Sequence, residues 1–273
     1  MKIVDVLIKA KHRLKESGID EREARLLLSH VLGIRSEDLV KYDEIEEATY
    51  EVFQSVLEKR CNHIPYAYIT GHQEFMKLDF KVNENVLIPR SDTEILVEEA
   101  IKLCQDKSLD SILDVCTGSG CIAVSLAKYI KDANVTALDI SKEALDIAKE
   151  NAIINNVNVE FIESDLFENI YSKFDIIVSN PPYIKKDVID TLEREVKNNE
   201  PLIALDGGED GLVFYRRIIE CAKDYLEANG YLLLEIGFDQ ANDVKGLLER
   251  SNYKNIRVIK DYSGNDRLVV ANI

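Results

Sequence analysis

Asn180-Pro181-Pro182-Tyr183 is the stretch whose residue types and order could do chemistry. It follows Phe174-Asp175-Ile176-Ile177-Val178-Ser179, in which Asp175 to Val178 reads as a short buried strand of the kind found inside a parallel sheet. The two prolines hold φ at about −65° and carry no N–H, and Pro182 biases Pro181 towards an extended shape. A stiff corner at a strand's carboxyl end results, which is where open α/β sheets bind their ligands. The corner offers a carboxamide, a proline carbonyl with no ladder partner, and an aromatic ring. Such a group could grip a planar –NH2. Asn180 Oδ1 and the Pro181 carbonyl would accept its two hydrogens while Tyr183 covers its face. A bare Pro-Pro is an ordinary way to end a strand; Asn and Tyr on either side of it suggest a site.

Other strand ends point to what sits beside that corner. Asp114-Val115-Cys116-Thr117-Gly118-Ser119-Gly120 runs from a predicted strand straight into a helix. Gly118 and Gly120 let backbone approach a ligand closely at a helix N-terminus. The Gly-x-Gly-x-x-Gly spacing of pyrophosphate dinucleotide sites is absent. The next strand ends at Asp139, where an acidic residue accepts hydrogen bonds from a ribose diol. The third is followed by Ser164-Asp165-Leu166-Phe167, offering a carboxylate for an adenine amino group and a ring to lie beside the base. Each acid alone is as well explained as a cap or a turn residue. At the ends of three successive strands, they describe a pocket for an adenosine without phosphates.

Other chemistries find little support. His12, His30, His63 and His72 all lie outside the predicted sheet and form no pair at ligand spacing, so no metal is expected. Cys116 and Cys121 flank the glycine loop, but with no histidine in that region a cysteine nucleophile would lack its base.

The elements that must position these residues read in two parts. Residues 1–70 form a run of amphipathic helices, with Asp20 expected to cap Glu21 to Leu32 and a further helix over Ile45 to Arg60. Residues 71–92 read as a hairpin or linker, ending in Ile88-Pro89-Arg90-Ser91-Asp92-Thr93-Glu94, where Arg90 could face a carboxylate and Ser91 or Asp92 cap a helix from Thr93. From residue 93 to 273 strands and helices alternate, which implies right-handed crossovers and a mostly parallel, doubly covered sheet of seven strands. Those strands are expected at 112–115, 135–138, 157–162, 175–178, 231–236, 256–259 and 268–272, the last two as a hairpin. The acid- and glycine-rich connection through Glu200-Pro201 and Leu205-Asp206-Gly207-Gly208 is expected to be a long loop without structure.

Composition narrows the function classes. A hydrophobic share of 46% and a charged share of 31% suit a soluble globular chain with a full core, and no run is long enough to span a bilayer. Five cysteines without ligand spacing fit free thiols in a reducing cytosol. A net charge of −16 argues against a protein that coats a phosphate backbone and makes a basic partner plausible.

The sheet region resembles a class I S-adenosylmethionine (SAM) methyltransferase, and Asn-Pro-Pro-Tyr resembles the signature of enzymes that methylate planar nitrogens. Together with Gly71-His72-Gln73-Glu74-Phe75, Ile88 to Glu94, Ser164 to Phe167, Glu200-Pro201, Leu205 to Gly208 and the helical front part, the chain resembles the HemK/PrmC family over essentially its full length. These are the release factor glutamine methyltransferases. The resemblance implies methyl transfer from SAM to N5 of the glutamine in the Gly-Gly-Gln motif of class 1 peptide chain release factors. It implies a Rossmann-like fold, a cytoplasmic and monomeric protein, and no direct binding of nucleic acid or membrane. Carried over by position, it sets the donor against Cys116, Thr117, Gly118, Ser119, Gly120, Asp139, Asp165 and Phe167, with Asn180 also near the donor. The substrate glutamine falls to Asn180, Pro181, Pro182, Tyr183 and Arg90, and the front helices to docking. Where the family usually has glycine this chain has Cys116, so the loop gains a side chain and donor affinity there is open to change. Two alternatives stand beside this reading: a methyltransferase for exocyclic amines of nucleic-acid bases, and a non-catalytic SAM-binding adaptor.

Overall fold

Apolar spacing along the front of the chain produces helices α1 (Ile3–Glu16), α2 (Glu23–Leu32) and α3 (Glu47–Cys61), closed by the short α4 (Tyr66–Thr70). Val6, Ala10 and Leu14 recur every four residues on one face of α1 and meet Leu27, Leu28, Phe53 and Leu57 in a single core. The second helix starts two residues later than expected. Asp20 accepts from the Arg22 backbone N–H at 2.8 Å and from its guanidinium, which spends the carboxylate on a turn rather than a cap. The computed structural model describes residues 1–273 and divides them into two compact units, of which this is the smaller.

That helical unit contains Met1–Gly71 and also Arg194–Asn199, a helix from far along the chain. The excursion is tied down by charge. Arg60, only 4% exposed at the end of α3, donates to Glu23 at 2.5 Å and to Glu195 at 2.6 Å. Asn199 Nδ2 donates to the His63 carbonyl at 3.0 Å.

The larger unit begins at His72, so the residues expected as a linker belong to it. Strands β1 (His72–Phe75) and β2 (Leu78–Lys81) form a hairpin, and α5 (Glu94–Lys107) follows a 3-10 turn at Ser91–Thr93. Next come β3 (Ser111–Val115), α6 (Cys121–Tyr129), β4 (Asn134–Asp139), α7 (Lys142–Ile154), β5 (Glu160–Glu163) and β6 (Phe174–Ser179). The connection after β6 is not structureless: it holds α8 (Lys186–Ile189), α9 (Arg194–Asn199) and a 3-10 turn at Leu202–Ala204. The chain ends with α10 (Val213–Tyr225), β7 (Leu226–Glu235), α11 (Ala241–Arg250), β8 (Lys254–Lys260) and β9 (Asp266–Asn272).

The seven strands lie in the order β5-β4-β3-β6-β7-β9-β8. Strands β3 to β7 run parallel, and β9 pairs antiparallel with both β7 and β8. Strand order reverses at β3, which has β4 on one side and β6 on the other, and such a switch point leaves a crevice at the carboxyl ends. One sheet face packs under α5 and α6, with Leu96, Val124 and Val178 in its core. The other carries Ile177, Tyr215 and Val244 beneath α10 and α11. No helix is long and apolar enough to cross a membrane.

Breaking the buried triad leaves two carboxylates facing one another without a cation. Arg60→Leu is expected to lower the stability of the helical unit by about 3 kcal/mol, the low end of the range for buried pairs because both acids are partly solvated. Thermal unfolding measures the loss, and amide exchange across residues 194–199 should quicken; unchanged exchange there would mean the triad does not hold that helix.

Candidate active site

The crevice at the carboxyl ends is a cavity. Its wall includes Cys116 to Ser119 after β3, Asp139 to Ser141 after β4, Ser164 to Leu166 after β5, and Asn180 and Pro182 after β6. The loop after β3 owes its shape to its two glycines. Gly118 (φ +55°) faces open space on the wall, so a Cβ there would stand in the cavity. Gly120 (φ +79°) packs on α7, and a Cβ there would lie 2.9 Å from that of Ala148. Asn151, fully buried on α7, fixes the same loop from behind. Its Nδ2 donates to the carbonyls of Ser119 (2.9 Å) and Lys81 (3.0 Å), and its Oδ1 accepts from the Lys81 N–H (2.6 Å). The β1–β2 hairpin is thus part of the site's support.

Two acids organise the loop further. Thr117 Oγ1 donates to Asp114 at 2.5 Å, and burial pushes the Asp114 carboxyl up to about 7 against the pull of that hydrogen bond. Asp139 Oδ2 accepts from the Gly118 N–H (2.8 Å) and Oδ1 from the Ser141 N–H (2.9 Å). Burial raises the Asp139 pKa and these backbone donors oppose it. Each oxygen keeps a lone pair for a further donor such as a ribose hydroxyl.

The wall suits an adenosine better than a phosphate ester. Its two arginines are already committed: Arg90 to Glu200, and Arg217 to Asp165 at 2.9 Å. Asp165 therefore reaches the cavity with one oxygen shared. Glu200 is buried and its other oxygen accepts from the Ile88 N–H at 3.2 Å. Arg90 thus braces the stretch before α5 against the Glu200-Pro201 return.

Phe167 does not lie on the wall. It is 4% exposed and stacks on Tyr225 at 4.9 Å, inside the core under α10. The reason is the turn at Ser164, whose Oγ donates to the Leu166 carbonyl (2.7 Å) and accepts from the Asn169 N–H (3.0 Å). That turn throws Leu166 (φ 51°) to the cavity and Phe167 inward. Leu166 and Phe214 supply the apolar surface that Phe167 was expected to give.

At the corner after β6, Asn180 and Pro182 face the cavity, while Pro181 is buried behind them. The Tyr183 ring packs against the core under α10 rather than reaching the wall. Asn180 Nδ2 donates to Thr93 Oγ1 at 3.3 Å. The glycine-rich connection folds back on the corner: the Gly207 N–H donates to the Ile184 carbonyl (2.8 Å), and a Cβ on Gly207 would lie 2.7 Å from Tyr183 Cα. Gln240, whose part nothing in the local sequence signals, donates to the carbonyls of Tyr183 (3.0 Å) and Gly211 (3.1 Å). Glu235 had one readable signal, an acid inside the apolar run Tyr231 to Ile236, and it proves fully buried.

Residues 91–209 match the Methyltransferase small domain family and residues 5–71 the PrmC N-terminal domain family. The release factor glutamine methyltransferase of Fusobacterium nucleatum is 43% identical over 277 residues, 98% of this chain and 78% of its own. That of Clostridium acetobutylicum is 44% identical over 281 residues, 99% and 98%. A methyltransferase structure from Pyrococcus furiosus, 20% identical, shares the fold at a TM-score of 0.53 over 72% of this chain and 90% of its own. Sheet order, switch-point cavity and family match define a class I SAM-dependent methyltransferase. Within that class, the chain belongs to the release factor glutamine methyltransferase family.

The two loop glycines should fail differently. Gly120→Ala combines left-handed strain with a clash on α7 and is expected to cost about 2–4 kcal/mol, read as a fall in Tm. Gly118→Ala meets no protein atom, should cost about 1–2 kcal/mol from its backbone alone, and should instead weaken SAM binding in calorimetry. Equal effects of the two on stability would contradict this geometry.

Proposed function

We propose that the protein transfers the methyl group of SAM to the side-chain N5 of the glutamine in the Gly-Gly-Gln motif of class 1 peptide chain release factors. The observation that carries this reading is the Asn180 carboxamide on the cavity wall, level with the glycine loop, in a chain of the release factor glutamine methyltransferase family. SAM, when bound, supplies an electrophilic methyl on a sulfonium and leaves as S-adenosylhomocysteine. Asp139 is assigned to the ribose diol, Asp165 to the adenine amino group, and Cys116 to Gly120 to the close backbone approach.

An amide nitrogen is a poor nucleophile because its lone pair is delocalised. Asn180 Oδ1 on the wall accepts one N–H bond, and the other is assigned to the carbonyl of Pro181, whose ring is buried behind the corner, so that the substrate nitrogen is held with its lone pair aimed at the methyl group. The same acceptors stabilise the positive charge that grows on nitrogen as the N–C bond forms and the S–C bond breaks. The methylated amide is then acidic enough to release its proton to water without a dedicated base. Pro181 and Pro182 serve by stiffening the corner and Tyr183 by anchoring it. Arg90 acts on the substrate only indirectly, through its brace to Glu200.

Selection of the partner is assigned to the helical unit. A glutamine side chain has too few atoms for specificity, so a second surface is needed. Val4 and Ile8 on α1 and Val52 on α3 are exposed apolar side chains there. The net charge of −16 suits a substrate with a basic face, in a cytosolic, monomeric enzyme that does not itself bind nucleic acid.

Incubation with labelled SAM and purified release factor tests the whole reading. Label on the Gly-Gly-Gln glutamine, located by mass spectrometry, is the expected result; label on RNA or DNA in its place would overturn it. Asn180→Ala should lower kcat by about 10²–10³ with SAM affinity little changed. Asp139→Ala should show the opposite split, losing about 1.5–3 kcal/mol of SAM binding in calorimetry. Serine at Val4, Ile8 and Val52 together should lower kcat/KM for the folded factor but not for a short Gly-Gly-Gln peptide. Equal losses on both would reassign the helices to bracing.

A further inference from the structure

Glu235 ends β7, and the pairing of Ser179 with Leu234 sets it level with Asn180 on the neighbouring strand. Two residues before each, Leu233 and Val178 belong to the core under α5, so both side chains stand on that face of the sheet. Thr93, buried just ahead of α5, stands there too. Asn180 Nδ2 donates to Thr93 Oγ1 at 3.3 Å, and Thr93 and Asn180 are the polar side chains that lower the Glu235 pKa against its burial. Glu235 is 2% exposed and its Oε2 has no partner.

No cation is dedicated to this acid. Arg267, whose charge lowers the acid's pKa, is held by Asp92 (3.1 Å) and Asp261 (3.2 Å), and Arg90 by Glu200. A carboxyl buried without its own counter-ion destabilises a fold, and a Gln or Leu would pack here at less cost. Its position directly behind the carboxamide on the cavity wall gives it a different use.

We propose, resting on the methyl-transfer reading above, that Glu235 is a positioning residue that acts through Asn180. A carboxylate only accepts hydrogen bonds, so the Asn180 NH2 must face it and Thr93, which leaves Oδ1 as the group presented to the cavity. The negative charge behind the NH2 also polarises the carboxamide, making Oδ1 a stronger acceptor as positive charge grows on the substrate nitrogen. No bond is made or broken at Glu235, and no proton passes to it.

The same carboxylate gives the site a pH dependence. Burial pushes the Glu235 carboxyl up to about 7; the polar side chains of Thr93 and Asn180 and the charge of Arg267 pull it down, and Asp92 adds to the rise. The groups around it come from every neighbouring element. Asp92 and Thr93 precede α5, Asn180 and Tyr183 follow β6, Arg267 lies on β9, Cys121 opens α6, and Tyr215 of α10 donates to the Glu235 carbonyl at 2.8 Å. A value raised on folding means that the group's contribution to stability is complete below about 4.5 and is lost as pH rises through about 7. The ionised form that orients Asn180 is therefore the form that the fold tolerates least.

The test uses full-length Glu235→Gln, assayed at saturating SAM and release factor between pH 6 and 8.5. Expected at pH 8 are a kcat at least about 10-fold below the parent, as for other positioning partners of site groups, with SAM Kd and KM little changed. The rise of kcat through neutral pH should vanish, and Tm at pH 8 should equal or exceed that of the parent. Added to Asn180→Ala, the substitution should slow turnover no further. Thr93→Val, which removes the hydroxyl that accepts from Asn180, should lower kcat several-fold while keeping the pH dependence. A kcat for Glu235→Gln close to the parent's, or a loss that adds in full to that of Asn180→Ala, overturns the assignment. Parent protein that methylates no release factor overturns the substrate reading and this assignment with it.

Discussion

Strand β6 lies between β3 and β7, and the pairings Val115–Ser179 and Ser179–Leu234 set the level of everything above them. The Ser179 hydroxyl donates to the Val115 carbonyl at 2.7 Å at the last rung of the ladder. One residue beyond that rung lie Cys116, Asn180 and Glu235, side by side at the switch point. A slip of one residue in β6 would turn Asn180 to the α10 face and Ser179 to the α5 face, with the apolar alternation of Ile176, Ile177 and Val178 reversed as well. The register that the core demands is thus the register that brings Asn180 to the cavity wall. The corner's stiffness adds to this, since Pro181 and Pro182 cannot rejoin a ladder.

Above that level, the site is held by buried side-chain amides rather than by apolar packing. Asn151 fastens the glycine loop to β2, and Gln240 ties Tyr183 to the connection at Gly211. Each satisfies backbone groups that no strand or helix could reach, so each is both necessary and geometrically exacting. Two acids, Asp114 and Glu235, are buried in the same zone, and burial raises both to about 7. Their shared sign means that stability contributed by this zone falls as pH rises through neutrality. The fold carries that cost where the glycine loop and the corner after β6 meet.

What the sequence made legible follows from how local each signal is. The Pro-Pro corner, the left-handed Gly118 and Asp139 depend on backbone within a few residues, so their meeting at one cavity could be read from types and spacing. Phe167 was misplaced because a single hydroxyl, Ser164, reverses which of two adjacent side chains turns inward. Strand β7 begins at Leu226 rather than Tyr231 because the irregular pairing near Phe174 admits Asn229, at φ 66°, within the strand. The helix Arg194–Asn199 joins the front unit through Arg60, a partner 135 residues away in sequence, and no periodicity carries that information. Glu200 and Gln240 are alike in this: their partners are backbone groups brought near only by the complete topology.

Cys116 shows how the loop accommodates a side chain at a left-handed position. Its φ of 62° is left-handed, which a side chain pays for with about 1–2 kcal/mol. Against that, a residue with Cβ loses less backbone freedom on folding than glycine, by about 0.4–1 kcal/mol. The side chain also packs on the core under α10, where a buried CH2 contributes about 0.8 kcal/mol. Burial raises the thiol's pKa, and the charges of Asp139 and Asp114 push it the same way, so the group stays neutral and adds no charge to the loop. The terms nearly cancel, and the backbone keeps the left-handed turn a glycine would have taken. Cys116 also borders the cavity.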